Sequence, residues 1–360
     1  MEKVLVRLYK YYLTYIAAPM NRARRLPPEA KSLFIAKFDG MGDFFLLLPV
    51  LKRLRGAGWR VSVCGNRYQR EILDHCGLDV ASVPFAPGSV AAVRAAVSAV
   101  REARPEYAVN LSMSAWGGIL VNQSRAPHTA GLLQEREWYV YKGTKLLYDR
   151  TVSYDPSLHG FEVTNRLFSE LLHVPRAEPH FDRPAKPGHE IAVHPYAKWP
   201  PRRWPWFEEL VGRLLDAGYR CVLLGTPVEH DGSGLAARFE KTPGCRVARL
   251  NSVSGLLAEI ERCRAFIGND SGPAHYAALI GRPTFVLWGP GNYDRVRPLG
   301  RNVHANVHAN VHANVHIFKK EIACRPCRQR GDICAKGVNE CLRMITVEEV
   351  MKEFRENLKP

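Results

Sequence analysis

At 360 residues, 46% hydrophobic and 24% charged, the chain is long enough for two domains with separate cores, and its balance excludes a disordered or fibrous protein. Lysine and arginine (51) outnumber aspartate and glutamate (35), and the net charge of +16 calls for an acidic partner: nucleic acid, an anionic membrane surface or a phosphorylated substrate. No apolar run is long enough to predict a membrane-spanning helix.

Residues 1–30 open the chain with Leu5, Leu8, Tyr11, Tyr12, Tyr15 and Ile16 sharing one face at helical spacing. Lys3, Arg7 and Lys10 lie beside them, and Arg22, Arg24 and Arg25 follow. Charges and tyrosines interrupt the apolar stretch, so a secretory signal is not expected. Two readings stand: a basic amphipathic helix lying on an anionic membrane, or a helix packed on the body of the protein.

Residues 31–185 begin with Ser32–Lys37, a buried strand, then the glycine-containing turn Asp39–Asp43 and an apolar helix to about Arg55. Arg60–Cys64 is a strand, Tyr68–Cys76 and Val90–Ala103 are helices, and Tyr107–Leu111 is a strand. Residues 125–160 are irregular, and Glu162–Leu172 is helical. Prolines at 175, 179, 184 and 187 give the next segment a linker composition.

In 186–360 the alternation restarts. Strands are predicted at Ile191–His194, Arg220–Leu224, near Val247, at Ala265–Gly268 and at Thr284–Leu287, with helices over 205–217, 233–240 and 254–262 and from about 272. Alternating strand and helix predicts parallel sheets covered on both faces. The fold class is α/β: two Rossmann-like, doubly wound domains facing a central cleft, with ligands beyond the carboxyl ends of the strands. Asn302 to His316 repeats Asn-Val-His-Ala, with apolar residues on alternate positions. It reads as a tandem expansion of a strand end in preference to a metal site built from its histidines.

Three segments carry candidate chemistry. In Gly268-Asn-Asp-Ser-Gly-Pro-Ala-His275 a strand ends and a helix starts. Asp270 or Ser271 can cap it, Pro273 suits an early helix position, and the free amides around Gly272 favour phosphate. His194 to Pro205 likewise follows a strand and brings Lys198, Arg202 and Arg203 to the expected cleft, where cations neutralise a departing diphosphate. In Lys37-Phe-Asp-Gly-Met-Gly-Asp43, Gly40 and Gly42 allow a tight turn, and Asp43 at a helix start is either an N-cap or a general base.

Nine cysteines, an odd number, with no secretory signal predict a reducing cytoplasm. Cys64, Cys76, Cys221, Cys245 and Cys263 read as core residues. Cys324, Cys327, Cys334 and Cys341 are spaced closely enough to form a tetrahedral structural zinc or iron site, the alternative being reduced thiols at a domain edge.

Taken in order, the three segments resemble glycosyltransferase family 9, the bacterial heptosyltransferases of lipopolysaccharide core assembly, from about residue 32 to 350. Leu224–Glu229, His159 and Trp288-Gly-Pro-Gly add to the match. The resemblance implies a GT-B fold with an acceptor-binding domain at 31–185. A nucleotide-sugar-binding domain follows at 186–360, carrying the histidine repeat (302–316) and the cysteine cluster (324–341). It implies inverting transfer of a heptose or related sugar from a nucleotide-diphosphate donor, in the family usually ADP-heptose, to a phosphorylated lipid-linked saccharide acceptor, with no catalytic cofactor.

Carried over by position, Asp43 resembles the general base and Arg202 stands where the family has a phosphate-contacting lysine. Glu229 resembles the ribose-holding acid. Ser271, Gly272 and Pro273 match the diphosphate-binding backbone, with Asp270 and His275 bordering the sugar and Lys198 near the phosphates. Lys37, Gly40 and Gly42 belong to the acceptor-side loop. Heptosyltransferases acting on autotransporter proteins are similar in carrying cysteine-held iron, so a protein acceptor is the alternative. From another class comes a non-catalytic binder of nucleotide sugar or nucleic acid, although no nucleic-acid motif is present. The expected location is the cytoplasm, peripheral to the inner face of the membrane.

Overall fold

Why the chain forms two sheets follows from its apolar strands, of which the central ones, such as Ser32–Lys37 and Ala265–Asn269, are buried along their whole length. Residues 2–18, 31–112, 114–133, 147–153, 155, 157–183, 187–300, 314–325, 327, 334 and 337–359 are described by a computed structural model. They divide into two compact units, Met1–Gly40 with Leu47–Ala177, and Met41–Leu46 with Glu178–Pro360. The break between Ala177 and Glu178 falls within the proline-rich segment.

The first unit holds β1 (Ser32–Lys37), β2 (Arg60–Gly65), β3 (Ala81–Pro84), β4 (Tyr107–Asn110), β5 (His128–Leu133) and β6 (Arg150–Ser153). All are parallel, in the order 3-2-1-4-5-6, the doubly wound arrangement. β1 is central and buried along its whole length, as its unbroken apolar run requires. Helices Leu48–Gly56, Tyr68–His75, Val90–Glu102, Ala115–Gln123 and Gly160–Leu172 cover it. Ser89 caps the third by accepting from Ala92 N–H at 3.1 Å, and His159 Nδ1 caps the last by accepting from Phe161 N–H.

The second unit repeats the plan with β7 (Glu190–His194), β8 (Arg220–Gly225), β9 (Cys245–Arg249), β10 (Ala265–Asn269), β11 (Thr284–Leu287) and β12 (Val315–Phe318). Their order is 12-11-10-7-8-9, again all parallel. Trp204, Phe207, Leu210, Phe285, Leu342, Val350 and Phe354 fill its core. The last Asn-Val-His unit of the repeat, at 314–316, leads into and begins the edge strand β12. The preceding repeats, with His304, His308 and His312, lie outside the described residues.

Several elements differ from the sequence expectation. The irregular stretch after 125 contributes β5 and β6, and Ala81–Pro84 adds a half-exposed strand. The helix expected at 233–240 is two short ones, Pro227–Ser233 and Leu235–Phe239, the first capped by the reciprocal Thr226–Glu229 pair. The helix after the glycine turn breaks into Met41–Phe45 and Leu48–Gly56, the first packing with the second unit. Among the described residues no helix is long and apolar enough to cross a membrane.

Candidate active site

In the second unit, strand β10 ends at Asn269 and the helix Gly272–Leu279 starts two residues later. Ser271 occupies the N-cap with extended backbone, yet its hydroxyl makes no capping bond, and Oγ is buried without a partner. The sequence allowed plain capping here, and the geometry does not use it. Buried hydroxyls are ordinarily paired, so an unpaired one at a helix N-terminus points to an absent acceptor or donor.

Three more unpartnered buried atoms gather at the same place. Asp270 is 4% exposed and makes an ion pair with Arg202 at 3.1 Å that has no aligned hydrogen bond, while Arg202 Nε and His275 Nδ1 have no partner. Burial pushes the Asp270 carboxyl up to about 6, Arg202 opposing and Asp43 reinforcing the rise. Burial, with Arg202 adding to it, drives His275 down to about 4, so the imidazole is neutral at pH 7. A guanidinium, a neutral imidazole, a hydroxyl and a helix N-terminus are groups whose chemistry suits a phosphorylated ligand.

Asp43 lies within electrostatic reach of Asp270 because Met41–Phe45 packs on the helix Gly272–Leu279. That approach needs a glycine: a Cβ on Gly42 would lie 2.7 Å from His275 Cδ2. Phe45 and Tyr276, both buried, meet with centroids 5.1 Å apart. Pro273 is buried in the first turn of the helix.

Arg202 ends a short 3-10 turn, Pro200–Arg202, whose loop is held from several sides. Fully buried Asn269 accepts from Trp204 N–H and donates to Pro195 C=O, both at 2.8 Å. Arg203 donates back to Ala197 C=O, Asn339 donates to the carbonyls of Pro201 and Arg203, and Trp204 Nε1 donates to Ile345 C=O. Asn269 is thus a structural key to the site, one the sequence did not single out. Lys198, by contrast, is exposed, with Nζ 5.1 Å from the Trp199 ring centroid.

Glu229 sits in the capping box, where Oε2 accepts from both the amide and the hydroxyl of Thr226 at 2.9 Å. Its charge also faces buried His194, which burial holds down to about 4 and whose Nδ1 has no partner. Next to it His230 donates from Nε2 to Ala248 C=O, leaving Nδ1 to accept from the Tyr196 hydroxyl at 2.9 Å. His194, Tyr196 and His230 were likewise not read as site residues. Gly291 was also missed: a Cβ there would lie 2.4 Å from Asp270 Oδ2.

The loop after β1 belongs to the first unit as far as Gly40. There Lys37 Nζ donates to Asp39 Oδ2 at 2.7 Å, and Ser112 Oγ donates to the same oxygen at 3.0 Å. Asn66 and Tyr68 hold the Asp39 carbonyl, and Gln69 holds that of Lys37. Lys37 is therefore fixed locally, and Gly42 falls in the second unit with Asp43.

The expected metal site is not supported. Among the described residues no three His, Cys, Asp or Glu side chains form a metal-holding group, and all four thiols are free. Cys341 is buried in the core beside Leu342 and Ile345, and burial raises its pKa and that of Cys327. Arg325 lowers the pKa of Cys341 and also that of Asp270.

Comparison with known proteins adds the following. The model of glycosyltransferase family 9 (heptosyltransferase) matches residues 94–324. Lipopolysaccharide heptosyltransferase 2 of Escherichia coli K12 is 30% identical over 161 residues, covering 43% of this chain and 42% of that protein. The aligned part thus spans less than half of the curated relatives it matches. Among solved structures, E. coli heptosyltransferase WaaC with ADP is similar (TM-score 0.68, 20% identity), over 91% of this chain and all of that one. A family 9 glycosyltransferase from Veillonella parvula gives TM-score 0.70 at 17% identity, over 92% and 98%. The architecture is that of the GT-B fold, two Rossmann-like units each with a parallel six-stranded sheet.

Proposed function

The chain belongs to glycosyltransferase family 9, and from that membership we propose that it transfers a heptose from ADP-heptose to a lipopolysaccharide core acceptor. The observation that carries this reading is the set of buried, unpartnered atoms at the start of the helix Gly272–Leu279: Ser271 Oγ, Arg202 Nε and His275 Nδ1. They supply donors, and a cation beside a helix N-terminus, where a sugar diphosphate needs them. A relative named for lipopolysaccharide heptosyl transfer and a similar structure holding ADP support the choice of donor and acceptor.

In the proposed reaction the acceptor hydroxyl attacks the anomeric carbon of the heptose as the bond to the diphosphate oxygen breaks, inverting that carbon. Asp43 takes the hydroxyl proton, and ADP leaves with the bonding pair. Arg202, the helix N-terminus and Ser271 stabilise the charge developing on the leaving diphosphate. Neutral His275 offers a hydrogen bond without adding charge, and Asp270 borders the sugar. Gly272 and Pro273 keep the first turn close to the phosphates, exposed Lys198 adds a cation, and Glu229 holds the ribose.

Mass spectrometry of products from ADP-heptose with a core saccharide acceptor and, separately, with an autotransporter protein tests the reading. A heptosylated saccharide is expected. Modification of the protein alone would replace the acceptor, and no product from either would remove the proposed activity. Asp43→Asn is expected to abolish turnover while calorimetric ADP binding persists. Undiminished turnover would eliminate Asp43 as the base.

A further inference from the structure

We propose that the first helical segment docks the protein onto an anionic phospholipid bilayer. Glu2–Tyr11 is α-helical and continues as a π-helical stretch over Tyr12–Ala17. One side of this rod is already taken by the protein. Val6 and Leu13 are buried, Leu13 joining the core of the first unit. Glu2 accepts from Val90 N–H at 3.1 Å, and the Arg94 guanidinium lies 5.6 Å from the Tyr9 ring centroid.

The other side is apolar and open. Val4, Leu5, Leu8, Tyr11, Tyr12 and Ile16 are each between 45% and 62% exposed. Counting Tyr15, seven of the twelve exposed large hydrophobic side chains among the described residues fall in this one segment, so the exposure is a patch and not scatter. Positions 4, 8, 11, 12, 15 and 16 follow the helical period and form one stripe. Because Val6 and Leu13 are already seated, the stripe cannot be buried by rolling the helix onto its own unit.

Charge selects the occupant. Lys3, Arg7 and Lys10, at helical spacing, run as a row along the helix, and Lys3 and Arg7 are exposed. A cationic row beside an apolar, tyrosine-rich stripe matches the layering of a bilayer surface: acyl boundary, headgroup level, lipid phosphate. A second copy of this chain, with its own +16, is repelled instead of attracted. As no described helix is long and apolar enough to cross, the segment lies along the surface.

Co-sedimentation of the full chain with phosphatidylcholine vesicles, with and without phosphatidylglycerol, tests this. The wild type is expected to pellet with the anionic vesicles and to be released by salt. Leu8→Ser with Tyr11→Ser, and separately Lys3→Glu with Arg7→Glu, are each expected to lower the partition at least about tenfold. Both double variants should keep the wild-type thermal melt and ADP affinity, which separates lost docking from lost folding. The proposal is overturned if the wild type stays in the supernatant, or if folded variants sediment as it does. It is equally overturned if ultracentrifugation shows a dimer that Leu8→Ser with Tyr11→Ser dissolves while vesicles are ignored.

Discussion

Asp270→Asn is expected to make the protein more stable at neutral pH while crippling the site. The carboxyl is buried and its pKa stands at about 6 against an ordinary 3.8. Between those values the folded chain holds a proton that the unfolded chain has lost, so stability falls as pH rises through the window. Above about pH 6 the wild type carries the whole penalty, on the order of 3 kcal/mol at about 1.4 kcal/mol per pKa unit. Asparagine escapes it but leaves an amide to be satisfied, so the net gain is about 1–2 kcal/mol. His275 and His194, held down to about 4, work in the opposite sense: their contribution to stability grows from about pH 4 to 6.5. It is common to both proteins and cancels in the difference. Urea unfolding at pH 8 and at pH 4, read on the buried tryptophans Trp204 and Trp288, gives the comparison. The advantage should be present at pH 8 and fall by about 2 kcal/mol toward pH 4, where the unsatisfied amide leaves the variant slightly the less stable. A variant less stable than wild type at pH 8, or a difference that ignores pH, would refute the reasoning.

Two further substitutions probe the neighbours. Arg202→Ala is expected to lower kcat/KM by about 10²–10³, and Arg202→Lys to recover only part of that, because an ammonium cannot span Asp270 and a diphosphate as a planar fork does. Steady-state rates with ADP-heptose check this, and an alanine variant at wild-type rate would discard Arg202. Asn269→Ala strands the Trp204 N–H and the Pro195 C=O and should cost about 2 kcal/mol of unfolding free energy. It should also raise the donor KM by loosening the Arg202 loop. Lost stability with an unchanged KM would reduce Asn269 to a packing residue.

The sequence was explicit wherever local chemistry is periodic or punctuated. Apolar strands such as Ser32–Lys37 and Ala265–Asn269 were legible because each is buried on both faces, and the Ser271–Pro273 helix start because its residues have narrow backbone roles. Long-range pairings leave no such trace. That Asn269 ties Pro195 to Trp204, or that Gly291 presses on Asp270, depends on β7, β10 and β11 lying side by side. Asp43 illustrates the same limit. The segments flanking Met41–Leu46 belong to the first unit, while the packing partner of Asp43's short helix is the helix Gly272–Leu279, some 230 residues away along the chain.

The arrangement of Arg202 and Asp270 explains why the chain keeps an arginine here. A buried ion pair retained only for stability would gain from full mutual hydrogen bonding or from apolar replacement. This one does neither: the atoms stand 3.1 Å apart without an aligned bond, Nε stays unpartnered, and Ser271 Oγ and His275 Nδ1 beside them are unpartnered too. Each such atom costs stability while unpaired, and a ligand that supplied its partner would recover that cost. Guanidinium offers one nitrogen to Asp270 and keeps others for an anion, so in the proposed reaction Asp270 would fix its orientation before the diphosphate arrives. On that proposal the unmet hydrogen bonds and the raised carboxyl belong to one device, a cation aimed in advance at a charge that develops elsewhere.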